Sequence, residues 1–312
     1  MAKKSVFSPA DVADMFGAGR RAEQDRTRSV NVTIMAPASG GDASLTQAVR
    51  SAFVPQLVTS SITVRPLSAL PDPASFDADW CVILPDPSGT TAAAAARAAA
   101  SAMVAACVVV ESSLEERDLG LAPELEGLVT YVVASDPARA LDEIASWALA
   151  ARPEKAVAFA ANFPFARARA VEAIVARCAR ENALVGTVAI IPGADLPVMT
   201  LNQAKMALEI AAACGEELRI ASVADLAGVL GAGFAYRALA RAIVGAIPGI
   251  GWAVKGGVGY LGTQATGRAV ARRYGQRLAG VPSLGDVATG LADAAVRARR
   301  LLRRPTAPGN QR

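Results

Sequence analysis

The chain has 312 residues, 53% of them hydrophobic and 5% aromatic, with a net charge of +4, a pI near 9.0 and a mean hydropathy of +0.32. That length suits two domains, and the absence of any histidine excludes Ser-His and Cys-His catalysis and every His-ligated metal site. The mildly basic balance suits an anionic membrane surface at least as well as nucleic acid; the sequence lacks the basic–aromatic interleaving that stacks bases, so no nucleic-acid partner is expected.

Residues 1–29 read as a peripheral N-terminal arm. The opening MAKKSVFSPADVADMF holds two lysines but no hydrophobic signal core, so no secretion signal is expected. Ser8 followed by Pro9 predicts a helix over Pro9–Phe16, which Gly17 and Gly19 should stop. Beyond it Arg20, Arg21, Arg26 and Arg28 interleave with Glu23 and Asp25; a solvated mixed-charge linker is favoured there over a phospholipid-binding arm.

Residues 30–152 alternate strand and helix. Val30–Met35, Ile62–Leu67, Trp80–Leu84, Cys107–Glu111 and Leu128–Ala134 are short β-branched-rich runs bounded by turn residues. Helical stretches fall between them at about Ser44–Phe53, Thr90–Ala106 and Pro137–Ala150, and Pro71, Pro73 and Asp77 mark a loop. Strands separated by helices predict an α/β domain with a doubly wound parallel sheet.

A phosphate loop would follow the first strand. It needs GxxxxGK[ST]: backbone amides cradle the phosphates, the lysine reaches the β/γ oxygens, and the hydroxyl holds Mg²⁺. Here the loop holds Ser39, Gly40, Gly41 and Asp42; aligned on Gly41, the lysine position is Asp42 and the hydroxyl position Ala43, while Pro37 removes one amide. No DxxG ends an early strand, and the place of a guanine-reading NKxD reads Glu111-Ser112-Ser113-Leu114. Asp77-Ala78-Asp79 before a strand, and Ala134-Ser135-Asp136 before a helix, look like the approaches to guanine recognition and to the last loop of a GTPase. The expectation is a degenerate GTPase-like or simpler Rossmann-like domain without catalytic residues, metal or cofactor. A nucleotide held by backbone amides at Ser39–Asp42 is the alternative.

Residues 153–282 read as a helical module, with Arg152-Pro153-Glu154 as a hinge and helices predicted at Ala156–Asn162, Phe165–Arg180 and Ala183–Ile191. Pro192-Gly193 is a strong turn signal, prolonged by Asp195 and Pro197. Thr200 with Gln203 has the capping-box spacing of a helix start, and Gly215 is placed for a left-handed C-cap. A second break at Pro248-Gly249 leads through Gly251 into GWAVKGGVGYLG, where small residues permit close backbone approach. The longest uncharged runs are shorter than the roughly 20 residues of a spanning helix, so bitopic anchoring is not expected. Cys81, Cys107, Cys178 and Cys214 have apolar neighbours and no CxxC spacing, which reads as buried reduced thiols in a cytoplasmic setting. Residues 283–312 form a basic C-terminal tail in which Arg297, Arg299, Arg300, Arg303 and Arg304 cluster beside Leu301 and Leu302. This suits an anionic membrane surface or an acidic partner, and equally a solvated helix end.

The combination IIPGADLPVMTLNQAKMALEIAAACGEE and AIPGIGWAVKGGVGYLGTQATGRAVARRYG resembles the bacterial domain of unknown function 697, the GTPase-associated family that includes the YcjF inner-membrane proteins. The resemblance covers about Ala156 to Gly275 and rests on the turn at Asp195, the Thr200–Gln203–Met206 segment, the second Pro-Gly turn, and Thr263, Thr266 and Gly267 before Tyr274. It implies a helical module, often joined to a GTPase-like domain and often at a membrane, and it supplies no activity. The expected function is a non-catalytic membrane-associated or scaffold protein on the cytoplasmic side of the membrane, through peripheral or hairpin-type association. The alternatives are a nucleotide-binding switch with an unusual phosphate loop and a soluble, cytoplasmic partner of a separate GTPase.

Overall fold

The computed structural model describes residues 9–38, 43–70, 72–86, 88–188, 195–218 and 251–278. The elements in chain order are α1 (Pro9–Arg26), β1 (Asn31–Ala36), α2 (Ala43–Ala52), β2 (Ser61–Pro66), β3 (Trp80–Ile83), α3 (Thr90–Ser101) and β4 (Ala105–Val110). They continue with the one-turn α4 (Pro123–Glu126), β5 (Val129–Val133), α5 (Pro137–Ala151), α6 (Ala156–Asn162), α7 (Arg167–Val188), α8 (Asp195–Ala213) and α9 (Gly251–Arg273). Two compact units form. One is Arg20–Val171 with Ala211–Leu218; the other takes the described residues of Met1–Gly19, Glu172–Ile210 and Arg219–Arg312.

The first unit is an α/β fold. Its five strands make one sheet in the order β2-β1-β3-β4-β5, every neighbouring pair parallel, with the switch of winding direction between β1 and β3. Parallel strands need long crossovers, which the helices supply. Every side chain of β3 and β4 is buried, as expected of strands covered on both faces. The edge strand β2 is largely exposed and ends at Pro66, which has no amide to give a ladder.

Each face of the sheet has its own core. On one, Val32, Ile34, Val82 and Val109 pack with Leu45 and Val49 of α2, with Ile144 and Ala148 of α5, and with Phe159 and Phe163. Trp80 is fully buried there, and its indole N–H donates to the Ala148 carbonyl at 3.0 Å. Phe159 packs against it with ring centroids 4.9 Å apart, and Phe53, Phe163 and Phe165 extend the cluster from Phe159 with centroids 4.8 to 6.2 Å apart, so the core of this unit continues past Pro153. On the other face Met35, Cys81, Ile83 and Val108 meet the alanine face of α3. The turn at 153–155 is fastened to the sheet's amino edge: Lys155 Nζ donates to Asp79 Oδ1 at 2.6 Å and to the Ser29 carbonyl at 3.0 Å, while Asp79 Oδ2 accepts from the Asn31 amide at 2.9 Å.

Several helices differ from expectation. The first continues through Gly17 and Gly19 to Arg26, because Met15, Ala18 and Ala22 are buried along it and their burial offsets the roughly 1 kcal/mol that each interior glycine costs. The alanine-rich helix ends at Ser101, not Ala106: Met103 takes a left-handed φ of 59° and Ala105 opens β4. The two helices predicted over Phe165–Arg180 and Ala183–Ile191 are a single α7, which runs to Val188. The helix expected to start at Thr200 begins at Asp195, with Pro197 in the first turn, where a missing N–H costs nothing. Thr200 therefore lies inside α8 and is no cap. The C-cap at Gly215 holds: its φ is 89°, its amide bonds the Ala212 carbonyl at 2.9 Å, and the Glu216 amide bonds that of Ala211 at 3.0 Å, the two bonds of a Schellman motif. No helix among the described residues is long and apolar enough to cross a membrane.

Candidate functional site

The carboxyl edge of a parallel sheet, near its switch point, is where such folds bind ligands. Ser39, Gly40, Gly41 and Asp42 lie outside the described residues. Ala43 is the first residue of α2. At the same edge, the residues after β4 and β5 serve their own turns. Ser112 Oγ, after β4, accepts from the Leu114 amide at 3.3 Å, and Asp136, after β5, caps α5 by accepting from the Arg139 amide at 3.0 Å.

A described cleft of about 210 Å³ follows β3, lined by Pro85, Asp86, Gly89, Val110, Arg117 and Tyr131 among others. Sequence reasoning looked after β1 and passed over this turn, whose signal was Asp86 followed by Pro87, Ser88 and Gly89. The geometry is scaffolded from both sides. Gly89 has φ 67°, and a Cβ there would lie 2.9 Å from Arg117 Nε. Tyr131 Oη accepts from the Arg117 amide at 3.1 Å and donates to its carbonyl at 3.0 Å, holding that segment against β5. Ser88 Oγ donates to Asp86 Oδ2, as does Thr91 Oγ1 at 3.5 Å. The Ser88 hydrogen bond outweighs desolvation and holds the Asp86 carboxyl below its ordinary range. A carboxylate so stabilised is a weak base toward a hydroxyl, and the cleft is smaller than the roughly 300–1,000 Å³ of small-molecule sites.

Burial also governs three of the thiols. Burial pushes Cys81 up to about 12 and Cys214 to about 11, and burial likewise raises Cys107 well above the ordinary value. All four cysteines are buried thiols outside any disulfide.

In the other unit, two residues singled out by the sequence, Gln203 and Thr263, meet a third that was not. Asn182 of α7, Gln203 of α8 and Thr263 of α9 are almost wholly buried. Asn182 Nδ2 and Gln203 Nε2 each donate to Thr263 Oγ1 at 2.9 Å, and Thr263 donates onward to the Gly259 carbonyl at 2.7 Å. Asn202 Nδ2 donates to Asn182 Oδ1 at 3.0 Å, and Thr266 Oγ1 to the Gly262 carbonyl at 2.8 Å. Two glycines let α9 lie against α7. A Cβ on Gly267 would meet Val175 Cγ2 at 2.5 Å, and one on Gly259 would meet the Asn182 carbonyl oxygen at 2.7 Å. Gln203 thus reaches across to α9 where a capping box would have turned it back on its own helix. Thr200 is buried beside it in α8. Of the remaining turn residues, Asp195 and Gly251 are the first residues of α8 and α9, while Pro192, Gly193, Pro248 and Gly249 lie outside the described residues. Asn182 and Asn202 were missed by sequence reasoning; an amide in an otherwise apolar run was their only signal.

This network is uncharged and interlocked, and it can fix the register of three helices. It offers no group able to carry a reaction. Comparison with protein-family models, with curated proteins and with solved structures finds no match to the chain.

Proposed function

We propose that the protein is a non-catalytic membrane-associated or scaffold protein, in which a degenerate GTPase-like α/β domain docks or regulates a helical module. The observation that carries the reading is the sequence of the loop after β1: aligned on Gly41, Asp42 and Ala43 stand at the positions for which a phosphate loop needs a lysine and a magnesium-binding hydroxyl. Asp42 would set a negative charge against the phosphates' own. The small cleft after β3 and the roles of Ser112 and Asp136 in their own turns support the same reading. In this reading the α/β domain, expected over 30–152, takes in Arg20–Val171 with Ala211–Leu218, and the helical module starts at Glu172 rather than at Pro153. The partner is a membrane surface or a protein, with a GTPase encoded elsewhere as one such protein.

The membrane side of the proposal draws on the helical module and the basic tail. Helices joined by buried amide and hydroxyl side chains, with glycines at the crossings, suit an apolar surrounding. Attachment is peripheral or through a hairpin on the cytoplasmic face. The test of the non-catalytic half is a GTP and ATP turnover assay on the full chain beside a Gly41→Val variant. The expected result is no turnover above a vector control for either protein. Turnover that Gly41→Val abolishes would overturn the reading.

A further inference from the structure

The carboxyl end of α9 carries an open groove of about 600 Å³, lined by Arg268, Arg272, Gly275, Gln276, Arg277 and Leu278. We propose that this groove is a phosphate-oxyanion site that seats the headgroup of an anionic phospholipid. The proposal rests on the membrane reading above and deepens it by naming the lipid chemistry and the residues that take it.

The groove follows from the way the helix ends. Arg268 and Arg272 are four residues apart and share one face of α9. Gly275 then takes a φ of 71°; its amide bonds the Arg272 carbonyl at 3.1 Å and the Gln276 amide bonds that of Ala271 at 2.9 Å. These are the two bonds of a Schellman motif, which turns the chain sharply at the left-handed residue. Leu278 is buried and pins the returning strand of chain, so Arg277 comes back to line the same groove as the two helical arginines.

The charge balance favours an anion. The helix terminus contributes roughly half a negative charge, against the full positive charges of the exposed Arg272 and Arg277. Among the described residues no carboxylate lines the groove. Arg272 and Arg277 are exposed and make no ion pair or side-chain hydrogen bond among the described residues. A guanidinium is a planar fork suited to two oxygens of one phosphate. The volume admits a glycerophosphate headgroup with its water. A solvated helix end with cations near the dipole accounts for Arg272 and Arg273, but not for Arg277, which lies beyond the helix and returns to the groove.

Cosedimentation of the full chain with vesicles tests this. One set is pure phosphatidylcholine, the other phosphatidylcholine mixed with phosphatidylglycerol, both at low ionic strength. An arginine near an anionic surface strengthens partition by about fivefold, so R268Q/R272Q/R277Q is expected to bind the mixed vesicles about one hundredfold more weakly than the unaltered chain. The same drop is expected in a chain ending at Gly280, which has lost the tail arginines. The exposed double variant R272Q/R277Q, expected to lose about twenty-five-fold, keeps the test if the triple variant does not fold. Vesicle binding that these substitutions leave within twofold overturns the groove assignment alone. Binding of neither vesicle type by the unaltered chain overturns it together with the membrane reading. Groove-dependent binding of free glycerol phosphate, with no vesicle partition, overturns the lipid as occupant.

Discussion

The sheet unit and the helical unit solve the same problem in opposite ways. In the sheet, the ladder satisfies the backbone, so the side chains between strands and helices are almost purely apolar: valines, isoleucines, the alanines of α3 and the aromatic group around Trp80. Helices satisfy their own backbones and leave no ladder to define how they sit against each other. In the second unit that information lies in Asn182, Gln203 and Thr263, and in Gly259 and Gly267. A sheet core of this kind is specified by volume. A helix assembly built this way is specified by hydrogen-bond partners and by the absence of Cβ atoms.

The difference can be broken most strongly at Trp80. Trp80→Ala removes a fully buried ring and its bond to Ala148; urea unfolding should show a loss of about 3–5 kcal/mol. A loss below about 1.5 kcal/mol would mean that volume does not govern this core.

Asn182→Ala comes next. It strands Asn202 and removes one donor from Thr263 in a buried setting, for a loss of about 2–3 kcal/mol. A double-mutant cycle with Thr263→Val should return a coupling of about 1–2 kcal/mol. Additive losses would contradict a network. Gly267→Ala puts a Cβ against Val175, with overpacking opposed by the better helix propensity of alanine; the expected net loss is about 1–2 kcal/mol. A gain in stability would show that the α7–α9 approach is loose.

The smallest effect lies at Glu23, in a part-buried ion pair that contrasts with the uncharged helical network. Arg26 Nε donates to Glu23 at 3.0 Å and the Leu218 amide does so at 3.1 Å. The Arg26 hydrogen bond, ahead of the opposing desolvation, lowers the carboxyl from 4.5. A carboxyl depressed in the native state stabilises above its unfolded value, and that stability is lost as pH falls through the native one. Glu23→Gln should therefore cost under about 1 kcal/mol at neutral pH, and its difference from the unaltered chain in urea titrations should vanish in acid. A difference that grows in acid would reverse the assignment.

What could be read from the sequence follows the same division. All five strands were legible, because β-branched runs bounded by turn residues have few other readings. The end of α3 was not, since alanine suits a helix as well as the start of a buried strand; Met103 and the burial of β4 decided it. Gly17 and Gly19 looked like stops because local propensity ignores the burial of Met15 and Ala18. Thr200 and Gln203 were singled out for the wrong reason. A spacing of three fits a capping box and also fits two side chains on one helix face, and only the neighbouring Thr263 distinguishes them. The cleft at Asp86 escaped notice because its residues come together only when β3, β4 and β5 are side by side.

The proposed function is membrane attachment by a protein without nucleotide chemistry. The most direct test is to express the full chain and a version ending at Gly280, separate membranes from cytosol, and wash the membranes with high salt and then carbonate. The expected result is that both chains sediment with the membranes before any wash. Release of the full chain by salt would assign its attachment to surface arginines, and resistance to both washes to the helical module. Complete recovery of both chains in the soluble fraction before any wash would contradict the claim.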